Sequence, residues 1–396
     1  MIYAIGSLIS MGVMSLTAAL AGLSVFASSP ILEAKNFYKW VTESYRNNFE
    51  FRLFSIATMA VVFSCVISLA AAAAYPVTWQ SGVNYPHFKD IFKVWYLFWP
   101  FILVYGISKI SSESRAKILN TWIIAFVALS VIGVIQYFTG WPRQVLIPFR
   151  APEDSPRYHA VLFLGQHLSV ASILIFPYFF ALEALVNKNL SSRLKLPKAL
   201  LAVGVFFGTV TLYFTFSRTL WVALPVGVFV WMILQLKRKK KILLVMAASV
   251  LALLMYQVPL VRERLTMPHG IPERQILWRA NFEFFLKRPL TGVGFGQTIS
   301  NSAFYIQDTH PTYERPLVSH AHNVFLEVLA STGIIGFASW LFYVGLLIYF
   351  SWRRGWKGLS AAWIVFLLNG LTQVNFWESK VLHQIMWVAA WSILGL

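Results

Sequence analysis

Cysteine is nearly absent from this sequence: Cys65 is the only one in 396 residues, and it falls inside an apolar run. A single cysteine excludes a disulfide framework and a metal site built on several thiolates. Charge is scarce too, at 12% of residues, against about 25% in soluble domains. Apolar runs of about 20 residues recur along most of the chain instead. We therefore predict an all-α polytopic membrane protein that folds as a single transmembrane domain over residues 1–396.

Acidic residues are also few, 15 against 33 Lys and Arg, which leaves a formal charge of +18. Such a charge could indicate a nucleic-acid partner, but its distribution argues against one. Much of it lies in short loops between apolar segments, which is the pattern of loops on the cytoplasmic side of a membrane. We predict membrane lipids and no nucleic acid as partners. The basic loops fall at residues 35–52, 109–117, 188–198, 237–241 and 353–357.

No lysine or arginine occurs in the first 29 residues. A secretory signal peptide would have a basic start and a shorter apolar core, so a retained membrane helix is predicted there. Eleven membrane segments follow from the apolar runs, and placing all five basic loops inside is consistent with their alternation. The predicted segments are 2–27, 53–75, 91–108, 118–138, 160–186, 199–217, 219–236, 242–260, 323–350, 359–377 and 381–396.

The longest predicted outer segment covers residues 261–322. At about 60 residues it is too long for a bare connection and is expected to carry function. Residues 274–286 within it have the pattern of an amphipathic helix lying on the membrane surface. We expect its aromatic residues, Trp278, Phe282, Phe284 and Phe285, to face the acyl boundary.

Two histidines and an asparagine, His320, His322 and Asn323, lie where this outer segment meets the next membrane helix. Histidine has an unperturbed pKa of about 6.5 and can accept a proton near neutral pH. His322 is our candidate general base, although a histidine at a helix start can also be purely structural. His320 and Asn323 are candidate substrate-binding residues beside it.

Arginines on the predicted outer side form the second group of candidates. Arg218 stands between two apolar segments with almost no loop, and an arginine near hydrocarbon costs about 2.5–3.5 kcal/mol, so it is expected to be functional. The planar guanidinium fork suits a phosphate. Arg274 begins the surface helix, whose N-terminus adds backbone N–H donors for an anion. Arg262, Arg264 and Arg279 are expected to bind substrate, although a self-paired charged face would also explain them.

Two further patterns in the sequence do not predict a metal site or a cofactor site. Asp308 and His310, taken with His320 and His322, do not have a strong metal-ligand spacing, so no metal is predicted. The three glycines at 292, 294 and 296 do not open a βαβ unit, so no dinucleotide site or other cofactor is predicted. These glycines are expected to allow a tight backbone path instead.

Several of these motifs together resemble the bacterial O-antigen ligase and polymerase superfamily. The ligase pattern is His-[Asn/Ser/Gln], nine residues, Gly, two residues, Gly, and His322, Asn323, Gly333 and Gly336 meet it. The resemblance covers about residues 200–350, and members usually have twelve membrane segments, so eleven to twelve are expected. Further matching stretches are 217–219, 274–278 and 288–296.

The resemblance implies a GT-C-like, inverting, metal-independent glycosyltransferase in the bacterial inner membrane. It would transfer a glycan from undecaprenyl diphosphate to a sugar hydroxyl of lipid A–core oligosaccharide at the periplasmic face. Arg218 and Arg274 would stabilise the diphosphate, and His322 would take the proton of the acceptor hydroxyl. A polymerase, which joins the same donor to another lipid-linked glycan, stays open, although the nine-residue spacing favours a ligase. A flippase or transporter is less favoured, because the deep segments are nearly uncharged.

Overall fold

The computed structural model describes residues 29–147, 157–235, 271–310 and 317–394. Within these ranges the regular secondary structure is helical, apart from one small hairpin and one isolated β-bridge between Leu146 and Tyr158. The helices are α1 (Pro30–Asn47), α2 (Phe49–Ala74), α3 (Trp99–Ser108), α4 (Ser112–Thr139), α5 (His167–Val186), α6 (Lys188–Leu194), α7 (Lys198–Phe214), α8 (Arg218–Gln235), α9 (Ile271–Lys287), α10 (Thr298–Thr309), α11 (Val324–Arg353), α12 (Lys357–Asn369) and α13 (Ser379–Leu394). The hairpin strands are β1 (Val77–Trp79) and β2 (Gly82–Asn84), and 3₁₀ turns cover Lys89–Phe98 and Gly370–Thr372.

Six of the described helical segments are long and apolar enough to cross a membrane, and a seventh is added if the bent pair α6–α7 counts as one span. The prediction of an all-α polytopic membrane protein is confirmed. Nine of the eleven predicted segments have a helical counterpart among the described residues. The predicted segments 2–27 and 242–260 lie outside them. The count of eleven to twelve therefore stays a prediction.

The ends of two predicted membrane segments are wrong. Residues 160–166 are not helical, since α5 begins at His167. Residues 373–377 are not helical either, since α12 ends at Asn369 and its 3₁₀ extension ends at Thr372. Apolar residues in both stretches are buried in the protein, so their hydrophobicity reflects packing and not a longer span. The helix α1 was not predicted at all.

A small subdomain formed by the β-hairpin, α9 and α10 packs against the start of α11. The indole Nε1 of Trp79 donates to Asn301 Oδ1 over 3.0 Å. The carboxylate of Asp308 accepts from the backbone N–H groups of Gln80 and Ser81, each over 2.8 Å. These contacts connect the hairpin turn to the end of α10, although the segments are more than 200 residues apart.

The helix α9 confirms the predicted helical segment at 274–286 but corrects its orientation. Phe284 is fully buried in a cluster with Leu277, Ala280 and Ala330, so it cannot face the acyl chains. Phe282 is 49% exposed and remains available to a membrane surface. The helix covers the periphery of α11, and only part of its aromatic face is free.

The N-terminal part of α11 is broken at Gly333, whose φ of 65° and ψ of −169° are not helical. The loop segment 289–294 lies against the break and forms backbone hydrogen bonds with it. Val293 N donates to Ala330 O over 2.9 Å, and Gly294 N donates to Ser331 O over 3.1 Å. Ile334 N, which has lost its helical acceptor, donates to Pro289 O over 2.9 Å. The break is thus satisfied by hydrogen bonds to the loop, as buried backbone groups require.

Glycines make this crossing possible on both sides. A Cβ on Gly333 would lie 2.3 Å from Leu290 O, and a Cβ on Gly292 would lie 2.4 Å from Ser331 O. Both glycines have positive φ, at 65° and 70°. The two backbones therefore touch where no side chain fits, which gives a physical reason for the first glycine of the His–Gly spacing.

We expect Gly333→Ala to destabilise the protein by about 2–5 kcal/mol, from about 1–2 kcal/mol of backbone strain and about 1–3 kcal/mol of overpacking. Thermal unfolding of the purified protein in detergent should show a clearly lowered midpoint. Gly345→Ala is the matched control on the same helix, because nothing lies within 4 Å of its added Cβ. An equal midpoint for both variants would contradict this account of the crossing.

Candidate functional site

A cavity of about 340 Å³ opens at the end of the helix bundle where α5, α11 and α13 begin. The loop of His320 and His322 lines one side, and Asp90, Lys93 and Glu378 are among the residues that line the others. The cavity thus collects residues from segments that are far apart in the chain. The basic residues Arg193, Arg353 and Arg354 line a different cavity at the opposite end of α5 and α11.

His322 is held in the left-handed region, with a φ of 48°, immediately before α11. Asn323 caps that helix, since its Oδ1 accepts from Phe325 N over 2.9 Å and from Leu326 N over 3.1 Å. The N–H of His322 donates to His320 Nδ1 over 3.2 Å. This tight turn projects the two imidazoles side by side, with ring centroids 4.4 Å apart.

Glu327 fixes this turn from inside the protein. Its side chain is 8% exposed, and its Oε2 accepts from Ala321 N over 2.8 Å. Its other oxygen accepts a hydrogen bond from the hydroxyl of Thr298, the first residue of α10. One buried carboxylate therefore joins the histidine loop, α10 and the first turn of α11.

The imidazole of His322 is half-buried, and its Nδ1 has no hydrogen-bond partner among the described residues. Its Nε2 lies 3.4 Å from Ser319 Oγ. Burial, followed by the nearby His320 and the positive charge of Arg274, lowers the pKa of His322 to about 4. The ring is therefore neutral at neutral pH and keeps an unused ring nitrogen.

Titration of His322 by histidine-selective NMR should give a pKa of about 4, well below the usual 6.5. In His320→Asn the pKa should move upward, because a nearby positive charge disfavours the imidazolium and this variant removes one source of it. Asparagine can still accept the backbone N–H of His322 through its side-chain oxygen. His310→Asn, at the C-terminus of α10, should leave the titration of His322 unchanged. A pKa near 6.5 in the unmodified protein would contradict this description.

Arg218 lies at the first position of α8, after a sharp turn that ends α7. Phe216 has a positive φ of 52° in this turn, and Trp221 N donates to Ser217 O over 3.1 Å to start the new helix. The side chain of Thr219 hydrogen-bonds that of Thr372. The predicted junction between two apolar segments is therefore a real turn, and it is anchored to the segment that follows α12.

Arg274 lies close enough to Arg218 and to His322 for their charges to act on each other within each pair. Burial, followed by the charge of Arg218, lowers the pKa of Arg274. The charge of Arg274 in turn contributes to the lowered pKa of His322. The two guanidinium groups thus lie in one positively charged region next to the neutral His322, and two such groups near each other indicate a site for an anion. The catalytic roles of the three residues stay predictions.

The remaining predicted residues lie in different places. Arg279 is on the exposed face of α9, where its charge affects Tyr305, and it is away from the cavity lining. Asn323 uses its side-chain oxygen to cap α11, and its predicted contact with substrate stays a prediction. His320 lines the cavity and accepts from the backbone of His322. Arg262 and Arg264 lie outside the described residues.

A metal site would have to be formed by Asp308 and His310 together with His320 and His322. The carboxylate of Asp308 is engaged by the hairpin turn, so it is already committed to two backbone N–H groups. Among the described ranges, no group of three or more His, Cys, Asp and Glu is placed to hold a metal ion. That no metal takes part stays a prediction.

Several polar residues of the cavity were missed by the sequence interpretation. The cavity is also lined by Lys93, Glu327, Glu378 and Lys380. Each is a charged residue beside or within an apolar run, and that exception to the hydrophobic pattern was the available signal. A second pair of histidines, His159 and His167, was missed as well. Their rings stack at 4.5 Å, and His159 contacts Phe216, two residues from Arg218.

Residues 203–341 match the family model described as O-Antigen ligase. The matched segment contains Arg218, Arg274, His322 and both glycines of the His–Gly spacing. The similarity to this family is confined to that segment, about a third of the chain. No curated protein matches the chain.

Proposed function

We propose that the protein is a membrane glycosyltransferase that completes a lipopolysaccharide, because residues 203–341 match the family model described as O-Antigen ligase. It transfers a glycan from undecaprenyl diphosphate to a sugar hydroxyl of lipid A–core oligosaccharide, with inversion at the anomeric carbon. The observation that carries the proposal is the position of His322 in the cavity lining, with Arg274 near it and Arg218 near Arg274.

The arginines supply the donor half of the mechanism. The diphosphate leaving group gains negative charge as the glycosidic bond breaks, and guanidinium groups placed to receive that charge lower the barrier. Two neighbouring arginines repel each other, and an anion bound between them replaces this repulsion by attraction to both guanidinium groups. This arrangement needs no metal and no other cofactor.

His322 supplies the acceptor half. A sugar hydroxyl is a weak nucleophile, and a base in hydrogen-bond reach that takes its proton during attack contributes about 10²–10⁴-fold. The pKa of about 4 makes free His322 a weak base. The bound diphosphate, with its negative charge, raises that pKa by favouring the imidazolium, so the base gains strength when the donor is in place.

The distribution of charge supports a periplasmic location for this site in a bacterial inner membrane. The basic loops predicted to face the cytoplasm include Arg193, Arg353 and Arg354, which lie at the end of α5 and α11 opposite to the cavity. The outer segment 261–322 is then the periplasmic loop, with α9 and α10 within it. The all-helical architecture with the site at one membrane face is GT-C-like.

The proposal is tested by transfer in liposomes with purified protein, undecaprenyl-diphosphate glycan and lipid A–core, with and without EDTA. We expect glycan on lipid A–core in both conditions. Lengthening of the lipid-linked glycan alone would place the protein in the polymerase branch, with the same donor site. A strict requirement for a divalent ion would overturn the metal-free mechanism. Movement of the donor across the bilayer without transfer would indicate a flippase.

A further inference from the structure

The cavity contains a wall that the donor chemistry does not use. This wall is formed by the 3₁₀ stretch before α3, by the loop between α12 and α13 and by the first residues of α13. Its charged members are Asp90, Lys93, Glu378 and Lys380. All four lie outside residues 203–341, the segment that matches the family model. They face the same space as His322 and belong to other elements of the fold.

The charges of the cavity decide which part of a substrate it can hold. Three carboxylates line it, those of Asp90, Glu327 and Glu378, against the two ammonium groups of Lys93 and Lys380. Asp90 and Lys93 already form an ion pair of 2.8 Å. Neither Arg218 nor Arg274 belongs to the lining. A diphosphate would be repelled by the carboxylates, so the cavity suits an uncharged, hydroxyl-rich group.

Glu378 offers a hydrogen-bond acceptor toward this space. Its Oε1 accepts from the hydroxyl of Ser169, while its Oε2 has no donor among the described residues. Burial raises the pKa of Glu378, and the bond from Ser169 and the charges of Lys380 and Lys93 act in the opposite direction. A half-buried carboxylate with an unused oxygen is a strong acceptor for a hydroxyl group.

Donors and an aromatic surface complete the wall. Lys380 Nζ donates to Leu164 O over 3.0 Å, which leaves two of its three N–H groups for a ligand. Trp377 packs edge-on against Phe295, with ring centroids 4.8 Å apart, and both rings line the cavity. An apolar surface with a few converging polar groups is the usual form of a small-molecule site.

We propose that this wall, with Glu378 at its centre, is the subsite for the acceptor saccharide and places its reactive hydroxyl against His322. The ligand class is a neutral pyranose with several free hydroxyls. The inference rests on the proposed function, since it assigns to the acceptor a cavity that the transfer mechanism requires near its base.

Steady-state transfer by the full chain in liposomes tests the subsite. Glu378→Gln removes the charge at constant size, and we expect the KM for lipid A–core to rise about tenfold, the usual effect of losing one charge-assisted hydrogen bond. The kcat and the KM for the lipid-linked donor should stay within about twofold, because Glu378 binds the acceptor alone. Lys93→Gln, on a different element, should also raise the acceptor KM. Glu113→Gln is the control, since Glu113 is 73% exposed and pairs with Lys117.

A binding measurement separates this inference from the proposed function. Saturation-transfer NMR with delipidated core oligosaccharide, in the absence of donor, should show contact with the unmodified protein and a reduced signal with Glu378→Gln. Absence of transfer in liposomes, with this contact present, would defeat the proposed function and leave the saccharide subsite standing. A Glu378→Gln protein with unchanged acceptor KM, with a raised donor KM, or with a loss confined to kcat would overturn the subsite.

Discussion

Glycan transfer should fall by about 10²–10⁴-fold in both His322→Ala and His322→Asn, the contribution expected of a general base. The two variants differ in backbone strain, because His322 has a φ of 48°. Alanine in the left-handed region costs about 1–2 kcal/mol, whereas asparagine is tolerated there. Equal losses of activity in a strained and an unstrained variant would assign the effect to proton transfer. The measurement is single-turnover transfer to lipid A–core in liposomes.

His310→Ala is the matched control. His310 follows α10, in the same stretch between α9 and α11 as His322, and it does not line the cavity. It should transfer at the unmodified rate. A His322→Asn protein with more than a tenth of normal activity would remove His322 from the role of base. If the alanine variant alone were inactive, the turn and not the ring would be what transfer needs.

Arg218→Lys should lower kcat by about 10²–10³-fold, the usual effect of removing one donor that stabilises developing charge. Lysine keeps the positive charge but presents a point charge on a flexible stem, and it cannot form the two parallel bonds of a guanidinium fork. Because the interaction strengthens as the diphosphate leaves, the loss should appear in kcat more than in the donor KM. The measurement is steady-state transfer at several donor concentrations.

Arg52→Lys is the control for this substitution. Arg52 is exposed near the start of α2, in one of the basic loops predicted to face the cytoplasm. Its variant should show normal kcat. Retention of normal kcat by Arg218→Lys would make Arg218 an anchor for membrane phospholipid and would leave Arg274 as the cation that receives the diphosphate.

The sequence was sufficient for the membrane class, and it singled out Arg218, Arg274 and His322 as candidates whose catalytic roles stay predictions. Hydrophobic runs predict membrane-spanning segments, because the bilayer requires an apolar surface of fixed length. Charged or imidazole side chains that interrupt such runs are costly, so their positions are informative even without a structure. The proximity of Arg274 to His322 could not be read from their spacing of 48 residues, and it depends on how α9 packs against α11.

The cavity wall and the orientation of α9 could not be predicted from the sequence, for different physical reasons. Glu378 follows an apolar stretch whose last residues are buried by protein and not by lipid, and hydropathy does not distinguish the two environments. Phe284 belongs to an amphipathic pattern that fits a membrane surface and a protein surface equally well. The pairing of residues 289–294 with the break in α11 joins distant backbone segments, which no local pattern reveals.

That pairing has a consequence for engineered chimeras. Val293 and Gly294 supply the N–H groups that satisfy Ala330 and Ser331, and Gly292 and Gly333 each leave room for the other backbone. A loop transplanted from a relative would bring that relative's residues at 289–294, and these would have to pair with the residues of this protein at 330–334. Exchange of substrate range between relatives should therefore succeed only when residues 289–294 and 330–334 are moved as one unit. The unit to exchange is the crossing itself, and not the loop that the sequence alone would delimit.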